Sequence, residues 1–427
     1  MRRFPLLPLV LLSIGCTQPV SSAGAGPASV AVVGAPPAAA PPASGAGGWN
    51  EERDFSVPPE KFTDAQRNFE EARKAILAGY YRDSLTEEDL YRAAVAGMLE
   101  RADPDMHKWN KLLSPSEVAE LRRDLQGELV GIGVKIEFDQ ATGYIDVKGT
   151  IPGSPAERAG VQAPDKIVTV NGKLYKGLAL RDVVADIRGK AGETVTLSIL
   201  RGDKLVSVPV VRDKIVYDVV RDLVLGGDVG YVRIPGFNAR TPAALHDALA
   251  ELAAKGVHSL VLDLRDNQGG SFDDAVAAAG EMVPAGSTVV SLNKRGKIEP
   301  VVAKTTPMLL DVPVAVLVDR ETASSAELVT AAMQDLRHAT VVGTRTHGKW
   351  TVQTLDDLPN GYAIKYTIAM FLTPGGKSYE GTGLAPDVEV DAAAADVLRL
   401  EGVTDPTRRV AEDVQLRTAI AVLGRAR

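Results

Sequence analysis

Cysteine is nearly absent from this 427-residue chain: Cys16 is the only one. A single thiol excludes an intramolecular disulfide framework. The five histidines are scattered, with neither an HExxH string nor a Cys/His spacing that would hold an ion, so no metal and no cofactor is expected. Basic excess is missing as well. The 48 Lys and Arg stand against 55 Asp and Glu, a net charge of −7, which argues against a nucleic-acid partner. The chain also lacks a GxSxG string, so any serine nucleophile must be sought without that signature.

The apolar stretch inside "MRRFPLLPLVLLSIGC" is too short to span a bilayer and reads as a signal-peptide core over residues 1–16. Gly15-Cys16 resembles a bacterial lipobox, although Ser13 stands where leucine is usual. That resemblance implies export to the periplasm, with acylated Cys16 anchoring the protein to a membrane. Ordinary secretion, with cleavage near residues 21–25, is the alternative. Residues 17–55 are rich in Ala, Pro and Gly and read as a tether, because such composition cannot build a core.

Helical spacing dominates residues 56–126, where Ser114 and Pro115 mark one helix start. From residue 127 to 213 short β-rich runs surround a single helix-like insert. Within them "GSPAERAGVQAPDKIVTVNG" resembles a PDZ domain, departing at Pro164, where glycine is customary. In that family "GELVGIGVKI" is the carboxylate-binding loop. Gly131 and Gly133 would let backbone N–H groups converge there, with Ile132 and Val134 beside them. A bare strand entry is the plainer reading of those glycines. Strands then alternate with helices across residues 214–392, a layered α/β pattern whose ligands sit at strand C-terminal ends. Residues 393–427 form a helical tail, serving either a dimer contact or as a cap.

"ETASSAELVTAAMQD" opens a helix at one such strand end, and Ser324 with Glu327 has capping-box spacing. That alone needs no chemistry. However, Lys349 follows Ser324 by 25 residues in "VVGTRTHGKWTVQT", and Gln353 comes four residues later. With "DLRDNQGG", "IRGKAGETVTL" and "FLTPGGKSYEGTGLAPDVEV", the chain resembles a C-terminal processing peptidase, also called a tail-specific protease, over about residues 60–392. The resemblance implies a crotonase/ClpP-like layered peptidase core with an inserted PDZ β-barrel-like domain and an N-terminal helical segment. It makes Ser324 the nucleophile, Lys349 the base and Gln353 its support. It places the oxyanion between Ser325 N–H and Gly269 or Gly270, and gives Arg188 a part in coupling the PDZ domain to the peptidase.

A lysine has an ordinary pKa near about 10.4, so it needs burial away from water to act as a base. Gly348, Trp350 and Val352 could supply an apolar pocket, and Gln353 could accept from the amine. Trp350 and His347 replace the family's glycine and aromatic, so Trp350 is expected to narrow the substrate channel. His347 leaves a Ser/His pair as a lesser option. "SLNK" (291–294) matches an SxxK string but lies in a β-like run, so it carries no weight. The expected function is an exported serine endopeptidase acting on polypeptides with free C-termini, with self-association left open. The alternatives are a catalytically weak PDZ-bearing peptide-binding protein on the same scaffold and a short-peptide degrading enzyme.

Overall fold

The computed structural model describes residues 64–102, 109–139, 142–151, 153–175, 180–215, 217–226, 228–309, 311–392, 400, 403 and 405–425. Cys16, the leader and the tether lie outside them, as do residues 393–399 of the tail. Two bodies are distinguished, the first a pair of helices, α1 (Ala65–Gly79) and α2 (Glu87–Ala102). Arg73 of α1 joins Glu70 one turn back at 2.7 Å and also reaches Glu87 at the start of α2. Three acidic residues, Glu87, Glu88 and Asp89, fill the first turn of α2, where the helix dipole favours negative charge.

The second body begins at residue 108. A short strand, β1 (Lys111–Leu113), leads into α3 (Pro115–Leu125). Ser114 caps α3 as the sequence suggests, with Pro115 at the first position and Glu117 returning a bond to Ser114 N–H at 2.7 Å. Val118, Leu121 and Leu125 face Leu113, Leu355 and Ala363.

The inserted β-rich domain contains β2 (Leu129–Gly131), β3 (Val134–Phe138), β4 (Ile145–Thr150), α4 (Pro155–Arg158), β5 (Lys166–Val170) and β6 (Lys173–Leu174). It continues with α5 (Leu180–Ile187), β7 (Thr194–Arg201), β8 (Lys204–Val211) and β9 (Asp213–Ile215). Its sheet runs β3-β4-β5-β7-β8, with β6 on β5, so β3 lies at an edge. Ile145, Val147, Ile167, Val195, Leu197 and Ile199 form its centre. β2 pairs antiparallel with β9, Leu129 opposite Ile215, which sets the chain's entry beside its exit.

The layered core follows. Its elements are β10 (Arg221–Leu225), β11 (Val229–Arg233), α6 (Thr241–Ala254), β12 (Ser259–Asp263), α7 (Phe272–Gly280), β13 (Thr288–Lys294) and β14 (Lys297–Val302). After them come β15 (Val314–Val318), α8 (Ser325–Arg337), β16 (Thr340–Gly343), β17 (Thr351–Asp357), β18 (Ala363–Leu372) and β19 (Val388–Glu389). One sheet runs β10-β11-β12-β15-β16-β19 and is parallel from β11 to β19. The other runs β1-β18-β13-β14, with β17 on β18. Ser291 of the "SLNK" string lies in β13, consistent with the weight given to it.

Parallel strands need cover on both faces. Val232, Leu262, Val316 and Val341 point toward the helices α6, α7 and α8. Tyr231, Val261, Ala315, Leu317 and Val342 meet Leu416, Ala419 and Leu423 of the tail. The tail helices α9 (Pro406–Glu412) and α10 (Val414–Arg425) thus cap the sheet. A buried ionic cluster fixes them there. Asp263, at the end of β12, accepts from Arg265 at 2.6 Å and from the Tyr231 hydroxyl at 2.6 Å. Arg265 also binds Asp413 at 2.7 Å and Gln415 at 3.0 Å, while Arg409 donates to the Tyr231 hydroxyl at 2.5 Å. Burial alone would raise the Asp263 pKa, but the Arg265 and Arg233 guanidiniums hold it well below the carboxylate range.

Removing one member of such a network leaves a buried charge uncompensated. Asp413→Ala is therefore expected to lose about 3–5 kcal/mol of unfolding free energy. Urea denaturation measures it, and a loss under about 1 kcal/mol would show that the cluster does not hold the tail.

Candidate active site

Ser324 occupies the turn between β15 and α8, with φ 56° and ψ −120°. A non-glycine residue there is strained, by roughly 1–3 kcal/mol, and persists only where its surroundings fix it. The strand-to-helix elbow is thus formed without its GxSxG signature. Ala323 N–H donates to Asn267 O at 2.9 Å, and the Thr322 hydroxyl donates to Leu264 O at 2.9 Å. Both acceptors belong to the segment after β12, so the two strand ends fix the elbow between them.

That segment contains the glycine pair. Gly269 has φ 103°, and a Cβ on it would stand 3.0 Å from Ser324 Cβ and 3.1 Å from Ser325 N. At Gly270, φ 135°, a Cβ would fall 2.1 Å from Phe237 O. Both positions therefore require glycine for backbone reasons, the plainer of the two readings. Gly269 N–H already donates to Asn267 Oδ1 at 2.8 Å, and Asn267 Nδ2 donates to Ile234 O at 2.8 Å. Ser325 begins α8, and its hydroxyl donates to Gly270 O at 3.4 Å.

The lysine segment is held to the elbow by one side chain, Glu327, buried in the first turn of α8. Its Oε2 accepts Ser324 N–H and Lys349 N–H, each at 2.9 Å. Its Oε1 accepts Gly348 N–H at 2.8 Å and the Thr346 hydroxyl at 2.5 Å. The Thr346 oxygen meanwhile accepts from Leu384 N–H at 2.7 Å, so its own proton faces the carboxylate. Burial pushes the Glu327 pKa up, opposed by these four donors. All four partners donate, so only the carboxylate satisfies them together. The capping-box spacing was the one signal of this residue in the sequence, and it announced only the bond to Ser324 N–H.

Lys349 is 1% exposed and Gln353 is fully buried. Gln353 follows a bulge in β17, and its Nε2 donates to Thr351 Oγ1 at 2.8 Å. Gln353 Oε1 and Ser324 Oγ are both buried without a hydrogen-bond partner. The bond from the Lys349 amine to Gln353 expected from the sequence is thus not formed, nor is one to Ser324. The amine lies instead over the indole of Trp109, 4.4 Å from the ring centroid. Trp109 is a site residue that sequence reasoning missed, since nothing in its surroundings marks it. His347 is exposed, its ring edge-on to Trp109 at 6.2 Å. Trp350 does not narrow a channel. It is 0% exposed, packed against Phe371 at 4.6 Å and Tyr379 at 5.2 Å, so the core absorbs its bulk.

In the inserted domain Gly131 ends β2, and buried Ile132 accepts from Ala156 N–H at 2.7 Å. Gly133 has φ 73°, and a Cβ on it would meet Ser154 Cβ at 2.3 Å. Val134 opens β3, whose outer side pairs with no strand among the described residues. Arg188, just past α5, reaches Glu120 of α3 and lies 3.6 Å from Asp124.

The layered core, the glycine pair under the elbow serine and the inserted β-domain define a class: the chain belongs to peptidase family S41 and carries a PDZ domain. The family's sequence model matches residues 228–390 and that of the PDZ domain residues 119–200. The "Probable CtpA-like serine protease" of Staphylococcus saprophyticus is 34% identical over 339 residues, 79% of this chain and 68% of that protein. Its counterpart in Staphylococcus aureus strain N315 is 36% identical over 325 residues, 75% of this chain. The chain spans 64% of the length of that relative. A solved Bacteroides fragilis structure assigned to the S41 proteases shares the fold, with 19% identity and a TM-score of 0.56 over 86% of this chain and 99% of that one.

Glu327→Gln places an amide donor among groups that need an acceptor. Unsatisfied buried donors cost about 1–3 kcal/mol each, so a destabilisation of that order or above is expected. Urea unfolding tests it, and wild-type stability would show that Glu327 is not what joins the two segments.

Proposed function

We propose that this protein is an exported serine endopeptidase that captures polypeptide C-termini with its PDZ domain and cleaves peptide bonds at Ser324. The observation that supports the reading is the buried serine on a strained elbow whose backbone N–H shares the Glu327 carboxylate with that of buried Lys349. In the reaction the neutral Lys349 amine takes the proton from Ser324 Oγ as the oxygen attacks the substrate carbonyl carbon. Ser325 N–H and Gly270 N–H receive the oxyanion, since Gly269 N–H is engaged by Asn267. The C–N bond then breaks and the lysine ammonium protonates the leaving amine. Water, deprotonated by the same amine, hydrolyses the acyl ester and restores Ser324. Gln353 Oε1 is an available acceptor for orienting the amine during these steps.

The edge strand β3 favours addition of an extended peptide, with the Gly131–Val134 loop receiving its carboxylate. Arg188 would transmit that occupancy to α3 through Glu120 and Asp124. Wild-type protein is expected to degrade an unstructured polypeptide and to prefer a free over an amidated C-terminus. Ser324→Ala and Lys349→Ala should lose at least about 10³-fold in kcat/KM, and Arg188→Ala should lose the C-terminal preference. Cleavage by Ser324→Ala at the wild-type rate would sink the peptidase reading, and indifference to amidation would sink the PDZ role. Residues 1–16 would direct export, with Cys16 as the lipid anchor. Metabolic labelling with a tagged fatty acid should mark the full chain and spare Cys16→Ser, and equal labelling of both would reject the anchor.

A further inference from the structure

Two atoms of the proposed site, Ser324 Oγ and Gln353 Oε1, are buried and neither has a hydrogen-bond partner. The amine lies over the Trp109 indole instead, 4.4 Å from its centroid. The backbone that follows Trp109 is tied to the sheet. Its neighbour Asn110 is buried and accepts Thr367 N–H at 2.9 Å, while Lys111 opens β1 and pairs with Lys365 of β18. On its other flank stands the His347 ring, and His347 N–H donates to Thr322 O at 3.0 Å. Trp109 thus leads into backbone bonded to the sheet, and its ring meets two residues of the lysine's own segment.

We infer that Trp109 is a positioning residue that holds the Lys349 ammonium off Ser324 and Gln353, so that engagement of the dyad requires the amine to leave the indole face. The inference rests on the reading of Ser324 as nucleophile and Lys349 as base. An aromatic quadrupole attracts a cation and gives a neutral amine no comparable attraction. A general base must be neutral before it acts. The indole therefore stabilises the one protonation state that cannot accept the serine proton, at a place from which neither orphaned atom is satisfied. The lysine stem has four carbons and staggered alternatives at each, so its amine can shift by a change of rotamer. His347 gains a role from the same geometry, since its ring edge limits how far the indole can swing away.

The test uses the full chain in five forms: wild type, Trp109→Leu, Trp109→Phe, Ser324→Ala and Lys349→Ala. Each is reacted with a small fluorophosphonate probe, which reports the serine without the PDZ domain, and with an unstructured peptide. Leucine keeps apolar volume but has no π face. Trp109→Leu is expected to raise the rate of probe attachment and the kcat for peptide by about 3- to 30-fold, with KM within about twofold. Phenylalanine offers a weaker face than tryptophan, so Trp109→Phe should fall between. Rates for Trp109→Leu at or below wild type, with an unchanged melting temperature, overturn the inference. Should Trp109→Leu melt early, Trp109→Phe decides, and a rate at or below wild type overturns the inference equally. Probe attachment that survives in Ser324→Ala would overturn the nucleophile assignment itself. Attachment lost in Ser324→Ala and Lys349→Ala, without acceleration in either Trp109 variant, would leave that assignment standing and remove only the role of Trp109.

Discussion

Glu327 lies in the first turn of α8, out of contact with water, and binds four donors from two separate segments. Hydrogen bonds to a charged acceptor contribute about 1.5–3 kcal/mol each, and leaving any of these donors buried and bare would cost a similar amount. The strained turn at Ser324 and the backbone at Gly348 and Lys349 are therefore set by one carboxylate. This single constraint explains how the backbones of two residues 25 apart in sequence reach one place. It also explains why the turn tolerates its positive φ. The backbone N–H of Ser324 is aimed at Glu327, and relaxing the dihedral would break that bond.

The second half of the site is fixed from below. Asn267 serves three groups: Gly269 N–H, Ile234 O and Ala323 N–H. Two residues before it Arg265 enters the buried ionic cluster and is bound by Asp413 of the tail. The chain after β12 thus runs from an ionic anchor, through an amide hub, to the glycine pair under the elbow serine. A segment with so few free torsions keeps its N–H groups in place without reorganising, which is the condition for a preorganised oxyanion site. The tail, more than 140 residues downstream of Arg265, belongs to this support as much as to the cover of the sheet.

Much of this was legible in the sequence, and the exceptions share a cause. Ser114 and Pro115 start a helix because capping chemistry is local. The strand and helix alternation of the core was readable because periodicity is local too. Ser324, Lys349 and Gln353 stood out through their spacing and through resemblance; all three are buried, and the backbone N–H groups of the first two share Glu327 Oε2. The role of Glu327 was half legible, since its bond to Ser324 is a matter of three residues while its bonds to Gly348 and Lys349 depend on the fold. Trp350 was misjudged. Its neighbours in sequence put it beside the lysine, but its side chain turns toward Phe371 and Tyr379, which only the sheet brings near. Asn267 lay in the "DLRDNQGG" string but its role did not show, and Trp109 gave no signal, because hydrogen bonds and ring contacts across strand ends have no period.

The proposed site is held by hydrogen bonds along its backbone but not at two of its side-chain atoms. The elbow, the glycine pair and the lysine backbone are all hydrogen bonded, while Ser324 Oγ and Gln353 Oε1 are not. Each is a polar atom held out of water with its hydrogen-bonding capacity unused within the protein. On our inference the Trp109 face, over which the amine lies, is an attraction that competes with both atoms. The balance between a cation on an aromatic ring and a neutral amine between two orphaned oxygens involves only a few kcal/mol on either side. A rigid frame around a lightly balanced lysine is consistent with a site whose chemistry waits for substrate.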